Sequence, residues 1–489
     1  MEDRKALHAS CVRPKEEIKT EMHSRRRRRT SAPSTDSKIP KSHGGHRSHR
    51  SQHQRRHSSS KSAIWTMPGD GYQPSLEEKI LRDRNWHYTD LGHGFNGHKA
   101  VGLGFVSFTV ASYNLLSQDL LEANLYLYEG VKKEYLDWNY RGRNLMNEIK
   151  FRRPDILCLQ EMHCKHYHQF EKELRKKNYT GVYHKRTGQD KQDGCAIFYK
   201  EDKFELRHTA CVDYYKHNVP ALDRDNVAIV LLLGVKGSHQ LLCVATTHIL
   251  FNPRRGDVKL AQLMVLLSEI DRLAHKGFEP ITCEPLYHPV ILCGDFNLVP
   301  FCPLYKFVCR GHLQYEGLPQ NQMSGQEMNG YRNVIKKHFL SEKAGLTQSC
   351  QQLNVVQKRF EAMSLKSQPP KHLEIRKRTR LDQSSGNIFH SLPLVSVYRH
   401  RSKHWDAEVT TNHNMAGCTV DYMWYSVGKR ETDPTSCQLK SVTQGPLQLL
   451  ACLGLPHRKE MNQIGILPNK VVSSDHVMLM TKFSLKKSA

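Results

Sequence analysis

From Phe105 onward, short β-rich apolar runs recur along the sequence, and one after another they meet polar residues able to bind a metal or move a proton. The run Phe105 to Tyr113 is followed by Asn114. Leu157-Cys158-Leu159 leads to Gln160-Glu161, and Thr246-Thr247 leads to His248. Leu292-Cys293-Gly294 leads to Asp295-Phe296-Asn297, Val420-Asp421-Tyr422 opens a further run, and Ser473-Ser474-Asp475-His476 precedes the last. Helical patterns lie between them. Arg141–Phe151 brings Leu145, Met146 and Ile149 to one side, and Asp257–Ala274 repeats Leu260, Leu263, Leu267 and Ile270 behind an acidic start. Strands interleaved with helices predict an α/β layered domain rather than a helical bundle. The strand ends of such a domain share one rim, where a rigid scaffold presents reacting groups.

Each fragment has an ordinary reading when taken alone. Gly-Asp-x-Asn makes an Asx turn, a histidine after two threonines is more often a bonded core residue, and Ser-Ser-Asp is a common polar turn. Together they are more specific. Glu161, Asp295, Asp421 and Asp475 with Asn114, Asn297, His248 and His476 supply hard oxygen ligands, hydrogen bonders and imidazoles, with no thiolate. That donor set suits Mg²⁺ or Mn²⁺ rather than zinc. A divalent ion, a carboxylate to activate water and histidines to neutralise charge are the requirements of phosphoester hydrolysis.

Charge divides the chain. Residues 1–62 hold 17 Lys and Arg against 6 Asp and Glu, a net of +11 out of +25 for all 489 residues. Arg25 to Arg29 are consecutive, and little in this stretch can be buried, so residues 1–64 read as a disordered basic tail. The tail serves as a nucleic-acid arm or a nuclear address, or is simply solvated. Over 65–104, Ser75-Leu76-Glu77-Glu78 caps a short helix running towards Trp86, and Gly92 to Gly104 reads as a linker. The domain proper then occupies 105–489. Residues 320–403, rich in Gln, Ser and Lys with a basic run Lys371 to Arg380, read as a partly disordered insertion within it. No apolar run is long enough to span a bilayer, and the N-terminus has no secretory segment, so the expected location is the cytoplasm, the nucleus or both. The 14 cysteines form no CxxC pair, which argues against a zinc site or a disulfide framework.

The ordered series Tyr113-Asn114, Leu159-Gln160-Glu161, Thr247-His248, Gly294-Asp295-Phe296-Asn297, Asp421-Tyr422 and Ser474-Asp475-His476 resembles the exonuclease–endonuclease–phosphatase superfamily. Tyr113 to Leu121, Asp223 to Val227, Phe251 to Asp257 and Gly317-Leu318-Pro319 narrow the resemblance to its deadenylase-like branch and, within that, to the Angel proteins. Gly317 to Pro319 and Ser324 to Glu327 lean towards the second vertebrate Angel branch. The similarity runs from about Phe105 to Phe483 and leaves out the tail.

The resemblance implies a deoxyribonuclease-I-like fold, a four-layer α/β sandwich of two mixed β-sheets flanked by helices. It implies that Glu161 is the principal Mg²⁺ ligand, with Asn114 beside it and Asp475 as a second ligand. Asp295 would position or deprotonate the attacking water, and Asn297 would hold a phosphate oxygen or the nucleophile. His476, oriented by Asp421, would stabilise the charged transition state, while His248 and Asn226 would contact the same phosphate. Arg254 and Arg255 are candidates to grip terminal phosphate oxygens, or else are exposed arginines leading into a helix. In Asp421-Tyr422-Met423-Trp424, bulkier residues stand where the family usually has Ile and Phe, which implies a core adjustment rather than lost activity. The implied substrate is an RNA 3′ end, of mRNA or tRNA, with a 2′,3′-cyclic phosphate removed to leave two hydroxyls. The rival readings are a 3′-to-5′ poly(A) exonuclease and a non-catalytic mRNA-binding protein. No membrane partner is expected.

Overall fold

The computed structural model describes residues 64–66, 71–95, 104–330, 333–364, 384–402, 404–414, 417–432 and 439–487. Two mixed sheets carry the architecture. The first has seven strands in the spatial order β1 (Trp86–Tyr88), β18 (Leu447–Leu453), β19 (Leu479–Lys486), β2 (Phe105–Asn114), β3 (Ile156–Gln160), β5 (Gly194–Lys200) and β4 (Tyr179–Lys185). The second has six, in the order β14 (Leu394–Ser396), β15 (Asp421–Ser426), β11 (Val290–Asp295), β8 (Leu241–His248), β7 (Val227–Val235) and β6 (Phe204–Asp213). Three two-stranded ribbons complete the strands: β9 (His275–Phe278) with β10 (Pro285–Tyr287), β12 (His312–Gln314) with β13 (Asn387–Phe389), and β16 (Lys429–Thr432) with β17 (Leu439–Thr443).

The sheets pack face to face. Phe108, Val110, Ile156, Cys158 and Ile197 of one meet Ile229, Leu231, Val244, Ile291 and Met423 of the other in a single apolar cluster. Because strand side chains alternate, the residues between these face outward under helices. The helices Trp138–Arg152 and Cys164–Arg175 cover the first sheet through Leu145, Ile149, Phe170 and Leu174. The helices Gly256–Ala274 and Pro303–Arg310 cover the second through Leu260, Leu263, Leu267, Ile270, Leu304 and Phe307. The order helix, sheet, sheet, helix is the four-layer sandwich that the sequence implied.

Two regions differ from their sequence reading. The capping pair before residue 80 forms, with Ser75 N donating to Glu78 Oε2 at 2.8 Å and Glu78 N to Ser75 Oγ at 3.3 Å. The helical turn nevertheless stops at Arg82, where Asp83 N bonds back to Glu78 O at 2.9 Å, and Trp86–Tyr88 becomes the edge strand β1 against β18. Trp65 and Leu81 are buried in the inter-sheet core, so the described part of 65–104 packs as part of the sandwich. The stretch 320–403 is likewise more than a loose insertion. Met323, Ile335, Leu340, Ala344, Leu346, Cys350, Ile388 and Leu392 are all buried in the cluster on the outer face of the second sheet. Polar composition concealed them because they are spaced singly among polar residues, mostly outside regular elements. The basic run Lys371 to Arg380, the whole of 1–62 and the glycine-rich 96–103 lie outside the described residues.

If the segment around Leu81 is part of the core, Leu81→Ala creates a cavity rather than trimming a linker. The expected loss is about 2–5 kcal/mol, read from the urea midpoint at unchanged m-value.

Candidate active site

Strand direction makes the site. β2 runs parallel to β3 and β8 parallel to β11, so Asn114, Gln160, His248 and Asp295 all emerge at one end, with registers Asn114↔Gln160 and Asp295↔His248. β15 is antiparallel to β11 and begins at that same end, with Asp421 opposite Asp295. β19 is antiparallel to β2, which returns Asp475 and His476 there just before the strand starts. Gln160 Nε2 donates to Thr246 Oγ1 at 2.8 Å and joins the two sheets directly beneath the rim.

The predicted carboxylates, amides and imidazoles meet in one buried cluster. Asn114 Nδ2 donates to Glu161 Oε1 and to Asp295 Oδ2, both at 3.0 Å. Ser117 N donates to the other Glu161 oxygen at 2.9 Å. His248 lies between the same acids, with Nδ1 3.7 Å from Glu161 Oε1 and Nε2 3.5 Å from Asp295 Oδ2. Asn297 N donates to Asp295 Oδ1 at 3.0 Å, so the Asx turn and the functional placement coexist. The Asn297 amide contacts His248 Nε2 at 3.0 Å. His476 Nδ1 pairs with Asp421 Oδ2 at 2.7 Å, and its Nε2 stands 3.8 Å from both Asp295 Oδ2 and Asp475 Oδ1.

Local backbone geometry is specialised at the strand exits. Glu161 and Asn297 adopt φ of +54° and +46°, in the left-handed region that non-glycine residues occupy sparingly. Gly294 has φ of +144°, and a Cβ there would lie 2.1 Å from the Thr247 carbonyl oxygen, so only glycine lets β11 lie this close to β8.

Electrostatics follow from burial. Burial raises the Glu161 carboxyl above its usual range, and Asp193 and Asp475 add to this while His248 opposes it. Burial works against a charged His476, but Asp421, Asp475 and Asp295 outweigh it and hold the imidazole well above its ordinary value. Asp475 receives the Tyr128 hydroxyl at 2.8 Å on Oδ2, while its Oδ1 is buried without a hydrogen-bond partner. Among the described residues, two groups have ligand atoms within 4.8 Å of one another: Glu161, His248 and Asp295, and Asp295, Asp421 and His476. Four acids crowded in a buried space, one with an unpartnered oxygen, fit a divalent cation.

Three of the sequence-nominated residues have different surroundings. Asn226 Nδ2 donates to the His248 carbonyl at 3.1 Å and its Oδ1 accepts from Gln262 at 3.2 Å, so in this structure it positions His248. Arg254 Nε is bonded to Glu327 at 3.0 Å, and Arg255 is bonded to Asp257 through both Nε and Nη2 at 3.0 Å. Both guanidiniums neutralise neighbouring carboxylates at the start of the helix Gly256–Ala274, which favours the structural reading over a phosphate grip.

Sequence reasoning passed over two cations. Arg141 is fully buried, and its guanidinium bonds the carbonyls of Leu115, Leu116 and Ser473 and the Gln118 side chain at 2.6–2.8 Å. Lys259 is also fully buried, with Nζ donating to the Asn297 carbonyl at 2.5 Å and to Gln326 Oε1 at 2.7 Å. Its signal was present: Lys259 precedes Leu263 by four residues on the apolar face of its helix. Tyr422 and Trp424 stack at 4.8 Å on the helix side of β15, and the Tyr422 hydroxyl donates to the Leu298 carbonyl at 3.0 Å.

A family model described as the endonuclease/exonuclease/phosphatase family matches residues 111–476. Human protein angel homolog 2 is 37% identical over 448 residues, spanning 86% of this chain and 80% of the relative. Human protein angel homolog 1 is 35% identical over 482 residues, spanning 87% of this chain and 71% of the relative. The chain belongs to the Angel group of the endonuclease/exonuclease/phosphatase family. Among solved structures, the crystal structure of ANGEL2, a 2′,3′-cyclic phosphatase, superposes with TM-score 0.66 at 36% identity, covering 82% of this chain and 98% of that one. The same phosphatase in complex with adenosine-2′,3′-vanadate gives TM-score 0.66 at 37% identity, covering 82% and 99%. The slightly higher identity to the second Angel protein agrees with the lean seen in residues 317–327. Family membership makes the cluster that of a metal-dependent phosphoester hydrolase, with donors suited to a divalent ion.

Lys259 offers a direct test of how this Angel site is held. Lys259→Met frees the Asn297 carbonyl, and kcat is expected to fall about 10- to 100-fold through misplacement of the Asp295–Asn297 turn. Burial lowers the Lys259 amine to about 7 from 10.5. Since the folded value is below the unfolded one, the buried ammonium destabilises the fold at low pH, and this cost fades as pH rises between those values. Wild type should therefore gain stability relative to Lys259→Met between pH 7 and pH 10, measured by urea unfolding at each pH.

Proposed function

We propose that this chain is a Mg²⁺-dependent phosphohydrolase that removes terminal 2′,3′-cyclic phosphate from RNA 3′ ends, leaving hydroxyls at both positions, in the cytoplasm or the nucleus. The observation that carries the reading is the convergence of Glu161, Asp295, Asp421, Asp475, His248 and His476 on one rim of a fold shared with a 2′,3′-cyclic phosphatase. That relative's complex with adenosine-2′,3′-vanadate supports a cyclic ribose phosphate as the substrate class.

Glu161, with Asn114 and Asp475 beside it, would hold the ion. A divalent cation supplies Lewis acidity at a phosphate oxygen and lowers the pKa of water. The protein's own groups do the rest. Asp295, fixed by Asn114 and by the Asn297 amide N–H, orients the attacking water and accepts its proton. The Asn297 and His248 side chains, 3.0 Å apart, hold phosphate oxygens beside that water. His476 is kept cationic by the acids around it and aimed by Asp421, so it faces the negative charge that grows on the phosphoryl oxygens.

Two RNAs separate this activity from poly(A) shortening. One ends in a 2′,3′-cyclic phosphate and the other carries an adenylate tail, each incubated with Mg²⁺ and with chelator. Loss of the cyclic end only with Mg²⁺, and an intact tail, is the expected result; tail shortening with untouched cyclic ends overturns it. Glu161→Ala should abolish turnover while RNA affinity, measured by filter binding, stays near wild type. A non-catalytic RNA-binding protein would show no such difference. Removal of residues 1–62 is expected to weaken RNA binding and flatten its salt dependence, while hydrolysis of short substrates continues. A salt titration of the two forms measures both effects.

A further inference from the structure

The four acids at the rim are each aimed by a polar partner. Glu161 is fixed by Asn114 Nδ2 and Ser117 N, Asp295 by Asn114 Nδ2 and Asn297 N, and Asp421 by its pairing with His476 Nδ1. Asp475 takes its donor from a segment that supplies none of the others, through the Tyr128 hydroxyl at 2.8 Å on Oδ2. Asp475 also stands in front of β19 rather than within it, so no strand ladder fixes its backbone. Its carbonyl is held instead by Asn412 N at 2.9 Å and by Thr411 Oγ1 at 3.0 Å.

Tyr128 closes the 3₁₀ turn Leu125–Tyr128. Its ring is buried in a small apolar cluster with Leu116 and Leu121, apart from the cores of the two sheets. The carbonyl of Leu127 in this turn accepts from Asn414 N at 3.1 Å. Residues 411–414 therefore hold both the Asp475 backbone and the turn that holds the Asp475 side chain. Three segments far apart in sequence close a ring of contacts around one carboxylate. Packing against leucines places the Tyr128 ring, and a phenylalanine would pack in the same way. Only the hydroxyl reaches the site.

A carboxylate free to rotate can offer an ion either oxygen or both. The Tyr128 bond commits Oδ2 and leaves Oδ1 standing 3.8 Å from His476 Nε2, which is itself 3.8 Å from Asp295 Oδ2. Outer donors of this kind orient a metal-binding carboxylate. We infer that Tyr128 is a positioning residue for the divalent ion: its hydroxyl fixes Asp475 so that Oδ1 is presented to the ion. The inference rests on the cyclic-phosphatase reading, with Asp475 as a second ligand, and deepens it by naming a residue that sets affinity for the ion without touching it.

The test uses the full chain and reads the ion directly. Binding of Mn²⁺ to the RNA-free protein is followed by loss of the free ion's electron paramagnetic resonance signal. Tyr128→Phe is expected to raise the Mn²⁺ dissociation constant about 10- to 100-fold. The Mg²⁺ concentration for half-maximal hydrolysis of cyclic ends should rise in parallel, while kcat at saturating Mg²⁺ stays close to wild type. Asp475→Ala should weaken Mn²⁺ binding as well, and adding Tyr128→Phe to it should weaken binding no further, because the hydroxyl acts through that carboxylate alone. Wild-type Mn²⁺ affinity in either single variant overturns the inference, as does an additive loss in the double variant. A fall in kcat at saturating Mg²⁺ with unchanged Mn²⁺ affinity also overturns it and leaves Tyr128 a structural role. A wild-type chain that binds Mn²⁺ but leaves cyclic ends intact overturns the substrate reading instead, and the Mn²⁺ affinities still decide the role of Tyr128.

Discussion

One buried guanidinium holds the reacting rim together. Arg141 reaches from the helix Trp138–Arg152 to the carbonyls of Leu115 and Leu116, just past the end of β2, and to the carbonyl of Ser473, just before β19. These two segments carry Asn114 on one side and Asp475 with His476 on the other. Ser474 Oγ closes the same gap with a 2.7 Å bond to the Asn114 carbonyl. Carbonyl oxygens at strand exits have lost their sheet partners, and a planar cation with five donors satisfies several at once. Burying that cation has a high cost by itself, which is offset because Asp475 and Glu161 lie close enough to stabilise its charge. The acids therefore need the arginine for position, and the arginine needs the acids for its charge.

The same interdependence governs the second sheet. Lys259 fixes the Asn297 carbonyl from the helix layer, the Tyr422 hydroxyl fixes the Leu298 carbonyl from below, and Gly294 permits the close approach of two strands. The left-handed backbone at Asn297 is held in place by these contacts, and that at Glu161 by the bonds its carboxylate accepts from Asn114 and Ser117. Rigidity at the rim thus comes from layers that never touch a substrate. This arrangement allows hydrogen-bonding groups to be fixed before charge develops on a phosphate.

Much of this was legible in the sequence because strands buried on both faces read as continuous apolar runs. β2, β3, β8, β11, β15 and β19 each coincide with an apolar run, and each polar end pointed to the rim. Edge strands left weaker marks. β4 and β6, at the edges of the two sheets, are only partly buried, and β1 has only three residues, so none reads as a strand by composition. The scattered core residues of 320–403 escaped for a related reason: loops bury single side chains without periodicity. A site for a divalent cation came through chemistry, since hard oxygens and imidazoles define a class of ion. Lys259 and Arg141 did not, because their roles depend on backbone carbonyls that sequence spacing cannot place.

The pairing of β2 with β19 also has a temporal meaning. Asn114 and His476 belong to segments more than 350 residues apart, and the first sheet does not bring them together until β19 docks against β2. Loop closure over such a span is slow, and it is the final event available to a chain emerging from its N-terminus. During translation, then, a ribosome presents the basic tail and an incomplete sandwich, but no assembled cluster of acids and imidazoles. A phosphoester hydrolase built in this way has no complete site until β19 has been made and has docked beside β2.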